Sequence, residues 1–201
     1  ALETVQPVQS WLDTLRTYAG CWITQDGASL KLISDKVGSV VATLSHASGQ
    51  IKAISGLKKR GVQGVPTVLS VTYTDTSALP YKPGTATVYA AGVLAGTTPR
   101  RESTVSLPGI SRYAQAMREA IERINKLSLN DLSFSLSVFD EALSLEVGDI
   151  VAVTHPIGLS AKQMRVQNIT GEYGRFELGL VEYDPAVYLS LIHISEPTRP
   201  Y

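Results

Sequence analysis

The sequence predicts an α+β protein: short antiparallel strands in barrel-like sheets, with two amphipathic helices at about 8–19 and 111–126. Three observations carry this. Two segments place apolar residues at helical spacing. Strand-like runs recur at intervals of roughly 10 to 15 residues, separated by glycine-centred turn signals. The composition, 44% hydrophobic and 18% charged, excludes disorder as the main state. The chain has 201 residues, enough for one large or two small domains. Such a chain can bury roughly 70% of its unfolded surface.

In the first helix, Val8, Trp11, Leu12, Leu15, Tyr18 and Ala19 fall on one face. Pro7 suits its first turn and Gly20 the position past its end. The apolar runs 21–24 and 28–33 flank Gln25-Asp26-Gly27, a hairpin signal. From 36 to 66 the pattern weakens. Five glycines and scattered serines there predict a long connection with one or two short strands.

Segments 68–74, 86–91 and 103–107 are β-branched or alternating and predict strands. Leu107-Pro108-Gly109 reads as a stop, with Ser111 as N-cap of the second helix. Tyr113, Met117, Ala120, Ile121 and Ile124 form that helix's apolar face, with Met117 as core filler. Residues 132–138 alternate Leu132, Phe134, Leu136 and Val138 against three serines, predicting a strand with an apolar and a small polar face. Gly148-Asp149 precedes another strand. Residues 164–170 and 176–183 form a pair across a turn at 171–174. The domains expected along the chain are a helix-hairpin element with its connection at 1–66 and a barrel-like domain with one helix at 67–188. Residues 189–201 are expected to be a non-native tail. The string LSLIHISEPTRP at 189–200 resembles translated sequencing-adapter DNA, which removes His193 from functional consideration.

Several function classes lose support. Eighteen basic and eighteen acidic residues cancel, arguing against a strongly electrostatic partner. The single cysteine, Cys21, excludes an internal disulfide framework and a cysteine zinc cluster, and reads as a buried inert thiol. No apolar run approaches a membrane span. No phosphate-binding loop, HExxH or GxSxG motif is present. His155, Asp149 and a serine could form a triad on paper, and Glu141 with Glu146 a carboxylate pair. A structural hydrogen bond for His155, turn chemistry for Asp149 and solvated turns for the glutamates are favoured. Lys58-Lys59-Arg60 reads as a solvated loop, with no aromatic residue interleaved. The expectation is a non-catalytic protein with no catalytic, cofactor-binding or metal residues and no cofactor. The alternative is a barrel-like binding module for glycan or single-stranded nucleic acid.

A set of ordered motifs adds to this: Val147-Gly148-Asp149, His155-Pro156, Arg165-Val166, then Glu182-Tyr183-Asp184-Pro185 with Val187-Tyr188. Upstream stand a helix with Tyr113, Gln115, Ala116, Arg118 and Ala120, the strand at 68–75, and the helix-hairpin from Trp11 to Gly27. Together they resemble the hub region of phage tail tip attachment proteins, the lambda J-like family. The resemblance implies a structural component of a tail tip or baseplate hub, located in the virion. It implies a homotrimeric ring that closes the tail tube, supports host attachment and opens for genome delivery. The implied partners are distal tail and tape-measure proteins and a fibre. The shared motifs are scaffold, so no site residue is implied.

Overall fold

The computed structural model describes residues 7–26, 29–77, 80–172 and 174–188. The expected non-native tail lies outside them. The α+β class holds, with two helices and eleven strands among the described residues. The chain separates into two compact units that alternate along it. Of the described residues, one comprises those in 62–128 with 186–188; the other comprises those in 7–61 with 129–185.

In the first unit, β5 (Val68–Asp75) is the middle strand of a three-stranded sheet. It pairs antiparallel with β6 (Lys82–Tyr89) and parallel with β7 (Glu102–Ser106). β6 begins four residues before the expected 86 and includes Pro83, which an edge strand tolerates. Gly84 is required there, since a Cβ would stand 2.5 Å from Cζ of Tyr73. The connection from β6 to β7 is tied by Thr67, whose hydroxyl donates to the Pro99 carbonyl (2.8 Å) and accepts from the Arg101 amide (2.8 Å). Helix α2 (Tyr113–Leu129) buries Ala116, Ala120 and Ile124, a stripe four residues apart. Tyr113 at its start meets Tyr73 of β5 edge-on, 6.4 Å between ring centroids. The Arg112 carbonyl accepts from the Ala116 amide (3.1 Å), so Arg112 holds the N-cap position and Ser111 lies one residue outside it.

In the second unit, α1 (Val8–Ala19) ends at Gly20, whose φ of 55° supplies the left-handed conformation a helix stop needs. β1 (Cys21–Asp26) and β2 (Ser29–Ser34) form the expected hairpin. A six-stranded sheet follows, in the order β3-β9-β10-β11-β8-β4. Its strands are β3 (Val40–Ser45), β4 (Ile51–Lys59), β8 (Leu132–Val138), β9 (Ile150–His155), β10 (Leu159–Glu172) and β11 (Arg175–Glu182). The 36–66 stretch, expected to be a long connection with one or two short strands, supplies two strands, β3 and the nine-residue β4, and they are the outer strands of this sheet.

The sheets are open, which corrects the barrel-like expectation. β3 and β4 are consecutive in the chain yet form opposite edges of the six-stranded sheet. β4 loses register twice along β8, at Ile51/Ala53 and Ser55/Lys58. Bulges of this kind bend a strand and disrupt its ladder. The inner face of this sheet holds the core: Leu44, Phe134, Leu136, Val138, Val151, Val153, Met164, Val166, Leu178 and Leu180 are all buried. The strict alternation at 132–138 reads out as expected, with Phe134, Leu136 and Val138 buried and the serines half-buried.

Candidate functional site

The motif residues of the second unit converge on a buried polar network. Arg165, on the central strand β10, forms an ion pair with Asp35, and their side chains are 7% and 6% exposed. Its second terminal nitrogen donates to the Lys36 carbonyl at 2.7 Å. Its guanidinium lies over the Tyr183 ring, 4.8 Å from the centroid. The Tyr183 hydroxyl accepts from the Gly38 amide (3.1 Å) and donates to the Gly38 carbonyl (3.4 Å). One cation thereby fastens the segment between β2 and β3 to the middle of the sheet.

Two further knots hold the same unit. The Gly148 amide donates to the Val166 carbonyl (2.8 Å), and the Val166 amide to the Asp149 carbonyl (2.9 Å). Gly148 adopts φ 96°, and a Cβ there would approach Cγ2 of Ile33 to 2.9 Å. Asp149 accepts from the Glu146 amide (2.8 Å), the turn chemistry expected of it. At the far end of β8, Glu182 is 9% exposed. It accepts from the Leu132 amide (3.1 Å) and pairs with Lys162.

The candidate chemical groups are scattered. β9 separates Asp149 from His155 by about 20 Å at the usual strand rise, so the paper triad is not assembled. His155 Nδ1 accepts from the Ile157 amide (3.3 Å), and its ring meets that of His46 edge-on at 4.7 Å. Glu146 pairs with Lys31, while Glu141 lies in the short 3-10 turn Asp140–Ser144. Cys21 is half-buried beside the Arg16 carbonyl. Met117 lies half-buried on α2. Lys58 and Lys59 lie in β4, not in a loop, and that strand has no aromatic residue. Among the described residues, no group of three or more His, Cys, Asp or Glu could hold a metal ion. Among them, too, no helix is long and apolar enough to cross a membrane.

Sequence reasoning pointed to Arg165, Tyr183 and Gly148 through the motifs but missed Asp35 and Gly38. No local signal marks those two, because their partners lie 130 and 145 residues away.

Residues 7–169 match the family described as "Putative phage tail protein". Among curated proteins, none matches the sequence. A chain of the virion of a native gene transfer agent particle superposes with TM-score 0.70 at 16% identity, over 94% of this chain and 42% of that one. The tail protein from Neisseria meningitidis MC58 gives 0.62 at 12% identity, over 92% and 59%. The 43 kDa tail protein of prophage MuSo2 from Shewanella oneidensis gives 0.59 at 14% identity, over 92% and 57%. The chain thus spans about half the length of these structures, and at such identities the likeness is one of fold. Because the family match covers most of its residues, this chain belongs to that phage tail protein family.

Proposed function

We propose that the chain is part of the tail tip hub of the lambda J-like kind. In this reading, three copies contribute to a ring that closes the distal end of the tail tube. The ring supports host attachment and opens for genome delivery. Its neighbours are the distal tail and tape-measure proteins and a fibre. The observation that carries the reading is the use made of the motif residues. Arg165, Tyr183, Gly148, Asp149 and Glu182 are all engaged in ties that hold strands, turns and connections of one unit together. A ring subunit needs this: a stiff body whose surfaces are left for neighbours. Antibody raised against this chain and applied to purified virions tests the placement. Gold label confined to the distal tail end is the expected result. Label along the whole tube, or on the capsid, contradicts it.

A further inference from the structure

The second unit has four outer strands, β1, β2, β3 and β4, and the edges of the last three differ in kind. β4 is defended. It carries Lys52, Lys58 and Lys59, is followed by Arg60, breaks register twice, and turns at Gly56 with φ 62°. Edge charges and bulges keep a foreign strand from adding. β3 has no charged residue. Ala42 and Leu44 belong to the core side, while Val40 is 37% and Val41 58% exposed. The Gln50 side chain accepts from the Ser45 amide (3.0 Å) and closes only the C-terminal end of this edge.

β2 is the second undefended edge. It is exposed at five of its six positions, whereas Cys21 to Thr24 of β1 are half-buried. Leu30 and Leu32 are 60% and 68% exposed. They share a face, because residues two apart in a strand point the same way. The one charge of β2, Lys31, points to the other face, where it pairs with Glu146 and where Ile33 approaches Gly148. It therefore leaves the leucine face unguarded.

We propose that β2 of one subunit adds to β3 of the next, so that each copy offers one edge and receives one. This rests on the ring reading above. The occupant is a second copy because the two undefended edges stand on the same chain, match at six residues each, and both carry exposed aliphatic side chains. The edges are also different from each other. Contacts between unlike surfaces are heterologous: they close into a ring where the rotation between copies closes, as the ring reading requires, and run into a filament where it does not. Two six-residue strands with four apolar side chains fall short of about 800 Å² per partner, the usual size of a stable pair. A lone pair is therefore weak, and ring closure, with two such contacts per subunit, supplies the cohesion.

The test uses the full chain with Leu32→Lys, which blocks the offered edge, and Val41→Lys, which blocks the receiving edge. Both side chains are more than half exposed, so circular dichroism and melting should match wild type. Sedimentation equilibrium should show wild-type mass rising with concentration and each variant remaining monomeric. An equimolar mixture of the two variants should gain mass only at concentrations well above those at which wild type associates, up to a dimer and no further, since one good edge of each kind remains without ring closure. Variants that associate like wild type overturn the proposal, and so does a mixture with no gain over its parts. A wild-type chain that stays monomeric over the same range also overturns it. None of these results decides the tail-tip placement, which the virion labelling judges separately.

Discussion

Replacing Arg165 by Met removes the cation that pairs with Asp35 and puts a thioether in its place. The Arg165 and Asp35 side chains are 7% and 6% exposed, so water cannot take over the lost role. Removing one partner of a buried ion pair costs about 3–5 kcal/mol. The bond to the Lys36 carbonyl and the contact with the Tyr183 ring disappear with it. That loss is a large part of the roughly 5–15 kcal/mol that holds a typical domain. The double variant Arg165→Met/Asp35→Leu removes both charges, and about half or more of the loss should return, because an apolar pair carries no uncompensated charge. Urea unfolding followed by tryptophan fluorescence is the assay. The chain has two tryptophans, Trp11 and Trp22, and both belong to the second unit, so the signal reports the unit that holds the knot. A single variant within about 1 kcal/mol of wild type would refute the reasoning. So would a double variant no more stable than the single.

Two further outcomes follow from the same structure. Phe134→Ala should cost about 3–5 kcal/mol in the same assay, since Phe134 is 3% exposed, while the half-buried Ser135→Ala on the other face should stay within about 0.5 kcal/mol. A chain ending at Tyr188 should melt within about a degree of the 201-residue chain, as the adapter-like string predicts for a tail outside the fold; a larger drop in calorimetry would count against that origin.

Local chemistry was legible wherever one short segment decides its own structure. The helix 8–19 with Gly20, the Asp-Gly hairpin and the alternation at 132–138 all read directly, because periodicity and turn residues act within a few positions. What escaped depends on partners far along the chain. The strand expected from 86 begins instead at Lys82, because the edge position spares Pro83 and the Tyr73 ring fills the space beside Gly84. The 36–66 stretch looks weak because β3 and β4 are edges with mixed faces, and only their pairing with β9 and β8 makes them strands. The motifs marked Arg165 and Tyr183, but nothing near Asp35 announces the other half of the pair. The barrel-like expectation failed for a related reason: alternation fixes which face is buried, while closure depends on whether the last two edges hydrogen-bond.

The proposed role is that of a subunit of a hub ring. The most direct measurement is the mass of the full-length protein, by mass photometry across the concentrations at which tails assemble. Three copies per particle are expected. A protein that remains strictly monomeric throughout that range would contradict it.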